Sequence, residues 1–261
     1  MRKRRFAAAL VVLLATGIAN SQTTNRNPEE GDWPEAEFHM ARVIYRTFGG
    51  AGSRGFRQPW WAIDYPMAEE HFLPALRRLT NMNVSEDSIH LELTDPRIFQ
   101  HPLLFLQQPG QGNWRPTAAD AANLREYLLR GGFLMVDDFH GEYDWSVFEA
   151  AMRRVFPDRR IVDIPPTDPL MNVFFDLGDR VQIPGARHVR RAAGGQVFTW
   201  MEGPPRWRGI YDDDGRLMVV INFNMDMGDA WEHADDPYYP APMTGQAYRL
   251  GVNYVIYAMT H

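Results

Sequence analysis

Apolar positions along this chain switch between two periods. Strand-length runs lie at residues 38–45, 89–93, 103–106 and 133–136, and again at 161–164, 207–211 and 216–222. Between them, apolar residues recur every three or four positions, the spacing of one helix face. The first helix is predicted from Asp64 to Thr80, with Asp64 as N-cap, Pro66 in the first turn and Phe72, Leu76 and Leu79 inward. Pro74 should bend or restart it. Residues 117–130 form the clearest helix. Thr117 is the N-cap, Asp120 stands at the third helical position, Leu124, Tyr127 and Leu128 share a face, and Gly131 supplies the left-handed exit. Asp144 should cap another helix, with Val147, Phe148, Ala151, Met152 and Val155 inward and Pro157 as its stop. A last helix spans 246–259, carried by Ala247, Leu250, Tyr254, Tyr257 and Ala258. Residues 165–205 show little period, and 225–245 read as a loop rich in Asp, Pro and Tyr. Asp212-Asp213-Asp214-Gly215 reads as a hairpin turn. Strands alternating with helices, without an internal repeat, predict an α/β fold with a mainly parallel sheet covered on both faces.

The run 133–136 is unbroken, as expected of a strand buried on both sides. Asp137 and Asp138 follow at once, and His140 stands two residues on. Ligands of open α/β sheets sit beyond the carboxyl ends of the strands, so this turn is the first candidate site. The competing reading is that the aspartates cap the next helix and the histidine packs. In extended chain, adjacent side chains face opposite ways and i, i+2 share a side. That pairs Asp138 with His140 as the catalytic candidates and leaves Asp137 to orient the loop, unless local twist reverses the two. A second polar segment follows the strand at 216–222. It is expected to lie close to Asp138 and His140, with Trp231 nearby, because both segments leave the carboxyl ends of strands in one sheet. Its candidates are Asn222, Asn224, Asp226, Asp229, Glu232 and His233, joined by Glu142 from the first turn. Trp145, Trp231, Tyr238 and Tyr239 are interleaved. Acids, amides and rings together suit a polyhydroxylated, sugar-like ligand, with rings over its C–H faces.

The 261 residues, 45% of them apolar, suffice for a full core. Arg2, Lys3, Arg4 and Arg5 precede an apolar stretch at 6–14, and Ala19-Asn20-Ser21 fits a small-x-small cleavage site. Residues 1–21 are therefore expected to be a signal peptide, 22–32 a linker and 33–261 a single exported domain. The stretch at 6–14 is too short to span a bilayer, and no later one is long enough. An uncleaved signal anchor is the alternative. Loss of residues 1–21 would leave 23 basic against 33 acidic residues, a net charge of −10. Nucleic acid and anionic membranes are therefore not expected partners. The chain has no cysteine, which removes disulfides, thiol nucleophiles and cysteine-held metals.

Two motifs mislead. Gly50-Ala51-Gly52-Ser53-Arg54-Gly55 matches a dinucleotide fingerprint but does not open directly onto a helix, so a nicotinamide cofactor is not expected. Asn222-x-Asn224-x-Asp226 resembles a calcium loop, yet Met227 replaces the sixth-position glycine and His233 the terminal glutamate. An irregular oxygen-ligand site for a divalent metal stays open. The hydrolase elbow G-x-S-x-G and the zinc-protease H-E-x-x-H are absent.

Asp64-Tyr65-Pro66, the stretch 129–141, Arg154-Val155-Phe156-Pro157, the stretch 228–232 and the stretch 257–261 together resemble the bacterial domain-of-unknown-function family 4159. The resemblance covers nearly all of the chain from Trp33 onward. It implies a branch of the class I glutamine-amidotransferase-like superfamily, near ThuA-like proteins, and hence a flavodoxin-like sheet. True amidotransferases carry a cysteine nucleophile on the turn that here reads Asp137-Asp138-Phe139-His140, so thiol chemistry is excluded. Three readings stay open, and the first, an exported ligand-binding domain, is the expected one with the other two as its alternatives. One is a binder of, or enzyme on, a small polyhydroxylated ligand. The second is a non-catalytic scaffold for a protein partner. The third is a metal-dependent hydrolase using Asp138, His140 and an acid of the second segment.

Overall fold

The computed structural model describes residues 36–47, 58–110, 113–192, 195, 197–199 and 201–261. The expected signal peptide, linker and domain start at Trp33 lie outside the described residues, as does the glycine loop at 49–55. The chain divides into two units, Met1–Pro34 and Glu35–His261, and all described residues belong to the second.

The elements in chain order are β1 (Ala41–Ile44), α1 (Met67–Thr80), β2 (Ile89–Glu92), β3 (Leu103–Gln107), α2 (Ala118–Leu129), β4 (Phe133–Phe139), α3 (Gly141–Val155), β5 (Val162–Asp163), β6 (Val189–Arg191), β7 (Val197–Thr199), β8 (Arg206–Tyr211), β9 (Leu217–Phe223), α4 (Met227–Glu232) and α5 (Ala241–Thr260). Seven strands form one sheet in the order β2-β1-β3-β4-β9-β8-β5. β2, β1, β3, β4 and β9 run parallel. β8 and β5 extend the edge antiparallel, so the sheet is mixed and mostly parallel. β6 and β7 make a separate ribbon inside the stretch without period.

β4 lies in the middle because all seven of its residues are buried and it has parallel neighbours on both sides. Its side chains alternate between two cores. Phe133 and Met135 join Phe105, Phe72, Trp231 and Tyr254 in one hydrophobic cluster. Leu134 and Val136, equally buried, point to the other side. α1, α4 and α5 pack together, and α2 packs with α3, so helices cover both faces.

Several boundaries differ from the sequence expectation. α1 runs through Pro74 unbroken, and its N-cap is Pro66, not Asp64. Leu79 is exposed, whereas Phe72 and Leu76 are buried. α3 starts at Gly141, with His140 as N-cap, three residues before Asp144. The strand expected at 161–164 shrinks to the exposed pair Val162–Asp163. The expected loop at 225–245 contains α4 and the first turn of α5. Short helices such as α4 escape periodicity because six residues cover less than two turns.

Candidate functional site

The parallel strands deliver their carboxyl ends to one crevice. Three of those ends carry a residue other than glycine in the left-handed region: Gln108 after β3 (φ 43°), Asp138 in β4 (φ 56°) and Asn224 after β9 (φ 57°). Asp64, which leads into α1, is a fourth (φ 64°). Such backbone costs energy and gathers where a structure must aim side chains. At Asp138 the β4–β9 register shifts between Val136 and Phe139, in the manner of a bulge. The kink turns two successive aspartates to different tasks.

Asp137 is fully buried, and its Oδ2 accepts from Met227 N (2.7 Å) and Gly228 N (3.1 Å), the opening amides of α4. It therefore ties β4 to the segment after β9. Burial, then the neighbouring Asp138 charge, push its carboxyl up to about 8 despite those amides. Asp138 turns the other way, and its Oδ1 lies 3.0 Å from His140 Nε2. His140 Nδ1 is buried and has no hydrogen-bond partner.

Asp226 caps α4, its Oδ1 accepting from Asp229 N (2.9 Å). Burial and then Asp138 hold its carboxyl well above the ordinary range, and Asp229, Asp64 and Asp137 add to the effect. Asp64 accepts from Gln107 Nε2 at 2.6 Å. Burial, then Asp229 and Asp138, raise its carboxyl well above the ordinary range too, against the pull of Arg42. Asp229 Oδ2 accepts from Ala186 N (2.7 Å). Glu232 is half-buried and raised, by burial first and Asp229 second. His233 stands 3.8 Å from Glu232 and 3.9 Å from Asp229.

Atoms of the kinds that ligate metals gather in overlapping sets. Asp138, His140 and Asp226 each place one such atom within 4.8 Å of the others, and so do Asp64, Asp226 and Asp229. Asp229, Glu232 and His233 make a third set on the rim. The segment before β6 passes over the crevice: Asp226 N donates to Ile183 O, and Tyr239 OH to Pro184 O. It brings His188, whose ring lies edge-on to that of His140 at 5.4 Å. Burial, then His140, push His188 down to about 4, so it is neutral at pH 7.

Of the residues singled out in the sequence, Asp137, Asp138, His140, Asp226, Asp229 and Glu232 converge here. Four others do not serve as ligand groups. Glu142 is exposed on α3. Asn222 is saturated internally, its Oδ1 accepting from Tyr254 OH (2.8 Å) and its Nδ2 donating to Met227 Sδ (3.2 Å). Asn224 clamps the start of α3, accepting from Gly141 N (2.9 Å) and donating to Pro204 O (3.0 Å). Trp231 is a core residue, stacked on Phe72 at 4.3 Å between ring centroids. The other expected rings are engaged too, Trp145 against Phe139 and Phe223 and Tyr239 within the core, while Tyr238 is exposed. No ring platform therefore faces the acids among these four. Asp64, Gln107 and His188 were missed. Asp64 had a plausible local role as a cap, Gln107 closes an apolar strand, and His188 sits in the stretch without period.

The architecture defines an α/β domain with a carboxylate–histidine crevice at the carboxyl edge of a mostly parallel sheet. The chain belongs to the family described as Domain of unknown function (DUF4159), whose model matches residues 39–259. A comparison with curated proteins finds no match. Among the described residues no helix is long and apolar enough to cross a membrane.

Proposed function

We propose that this protein is an exported, metal-dependent hydrolase, with Asp138, His140 and Asp226 holding a catalytic divalent cation. The observation that carries this reading is the convergence of those three side chains within 4.8 Å at a buried strand end. Neighbouring ligand atoms around a cation with bonds of ~2.1 Å stand about 3 Å apart in octahedral and about 3.4 Å apart in tetrahedral geometry. The Asp138–His140 pair has a separation of 3.0 Å. Buried carboxylates persist when paired or when they coordinate a metal. The nearest buried arginine, Arg42, is already committed to Glu69 at 2.8 Å. Two aspartates and one imidazole suit zinc or manganese, and open positions on the cation take water and substrate.

Held by Asp138, His140 and Asp226, a divalent cation would supply Lewis-acid chemistry and lower the pKa of water at the site. Asp137 positions α4, and through it Asp226. The polyhydroxylated-ligand reading survives in altered form: hydroxyl oxygens fill a cation's shell, without help from stacking rings. The parallel strand order β2-β1-β3-β4-β9 supports a flavodoxin-like, amidotransferase-like ancestry, since the flavodoxin order is 2-1-3-4-5. Export rests on the basic and apolar start of the chain, and N-terminal sequencing of secreted material tests it.

The test of activity is hydrolysis of chromogenic ester, phosphate and glycoside substrates by protein loaded with Mn2+ or Zn2+. Asp138→Asn and His140→Ala should each abolish turnover while the fold persists by circular dichroism. Turnover that survives chelation, or survives both substitutions, would sink the proposal.

A further inference from the structure

Asp226 belongs to both buried ligand sets. Asp138 and His140 flank it on one side, Asp64 and Asp229 on the other. We infer that the crevice holds two divalent cations bridged by the Asp226 carboxylate, the second one on Asp64 and Asp229. This rests on the proposed metal site and extends it to a second ion and two further ligands.

Three observations point to the second ion. The first is charge. Asp64, Asp138, Asp226 and Asp229 bring four carboxylates together, and one divalent cation would balance only half of them. Two balance the set and leave a neutral floor for an oxygen-rich substrate. The second is Gln107, fully buried beside Asp64. Its Nε2 donates to Asp64 Oδ2 at 2.6 Å, while Oε1 on the same amide has no hydrogen-bond donor. A buried amide oxygen without a donor beside a carboxylate is a hard-cation ligand in waiting, since leaving it unmatched is costly. The third is the close approach of glycine backbone to the acids. A methyl group on Gly185 would stand 2.8 Å from Asp226 Oδ2 and 3.1 Å from both Asp229 Oδ2 and His188 Nδ1. A methyl group on Gly228 would stand 2.7 Å from Gln107 Nε2 and would overlap Asp64 Oδ2. Glycine at both positions lets the backbone lie close against the carboxylate oxygens with no side chain between them.

Carboxylate-bridged cations sit ~3.5–4 Å apart and share the work of displacement, one activating water and the other holding the leaving oxygen. Such a pair also explains why Asp226 is fixed twice, through its side chain on Asp229 N and its amide on Ile183 O.

The experiment is a Mn2+ titration of the full chain by calorimetry, with electron paramagnetic resonance of the loaded protein. The expected result is two ions per chain with an exchange-coupled Mn2+ pair spectrum. Asp64→Asn keeps an oxygen for Gln107 to donate to, and should lower the count to one and abolish the coupling. His140→Ala should also leave one ion, uncoupled. Circular dichroism and the thermal midpoint confirm that both variants fold. One ion in the wild type, lost in His140→Ala and untouched by Asp64→Asn, overturns the second site while the proposed function stands. Two ions without exchange coupling overturn the Asp226 bridge. No ion in the wild type overturns both.

Discussion

Two buried charged groups lie within this sheet, and they are built oppositely. Arg42 on β1 is fully buried, yet it meets Glu69 at 2.8 Å, donates to Trp61 O and Ile63 O, and lies over the Phe105 ring. Charge is matched there by charge and by carbonyls, and the group ties β1 to α1 and to the turn before it. The crevice holds Asp64, Asp137, Asp138 and Asp226, all buried, and among the described residues no buried lysine or arginine pairs with them directly; the basic group in contact is the His140 imidazole, 3.0 Å from Asp138. The first arrangement is matched in charge as folded, although Arg42 Nη2 and Glu69 Oε2 have no hydrogen-bond partner among the described residues. The second carries excess negative charge, held by proton uptake at Asp137 and awaiting a cation on the proposed reading. Burial alone therefore does not mark a site. An uncompensated burial does.

The contrast breaks first at Arg42. Arg42→Met should destabilise the domain by about 3–5 kcal/mol, because it strands Glu69 without a counter-charge. Urea denaturation measures this, and a loss under about 1 kcal/mol, the scale of an exposed pair, would mean that the pair is not a structural anchor. A second effect is expected from pH. Folded Asp137 keeps its proton up to about 8, whereas in the unfolded chain the same carboxyl ionises near the ordinary ~4. Between those values the folded state binds more protons, so stability of the metal-free protein should fall as pH rises from about 4 to about 8. Asp64 and Asp226, raised for the same reason, act in the same direction. A urea midpoint that climbs across this window contradicts the buried-acid picture. Saturating Mn2+ should flatten the fall, since ion binding favours the folded state.

Asp226→Asn sharpens the contrast further. Asparagine still caps α4, but one repelling carboxylate is gone. The metal-free thermal midpoint at about pH 8 should rise by about 2–4 °C, the shift that about 1 kcal/mol gives in a domain of this size. Mn2+ binding should vanish in the same variant. The smallest effect belongs to Glu142→Gln. Exposed on α3 and outside the cluster, it should change stability by less than about 0.5 kcal/mol and leave ion binding intact. Loss of Mn2+ binding in that variant would restore Glu142 to the site.

Much of the frame was legible because long periodic segments declare themselves. The unbroken run at 133–136 became the central β4, and Thr117 with Asp120 forms the capping box of α2. Asp138 with His140 was legible too, as acids and a histidine standing just where an apolar run ends. The division of labour between Asp137 and Asp138 was drawn from an extended strand, whereas in the fold a left-handed φ at Asp138 separates the two. Pattern alone assigned Trp231, Asn222 and Asn224 to a ligand, because a polar or aromatic residue in a loop looks the same whether it faces solvent or a neighbouring helix.

The sequence by itself determined the alternating elements, the buried middle strand and the first half of the crevice, since those depend on local periodicity and on the residues at a strand's end. That the segment after 216–222 approaches Asp138 was expected from two strand ends of one sheet. Only the tertiary structure decided that β9 lies directly beside β4 and that Asp226 is the residue of that segment that meets Asp138. It alone brought Asp64 from before α1 and Gln107 from the end of β3 to the same point. Local sequence carries dihedral preference and amphipathic period. Which acids lose water together is set by strand order, and strand order is a property of the whole sheet.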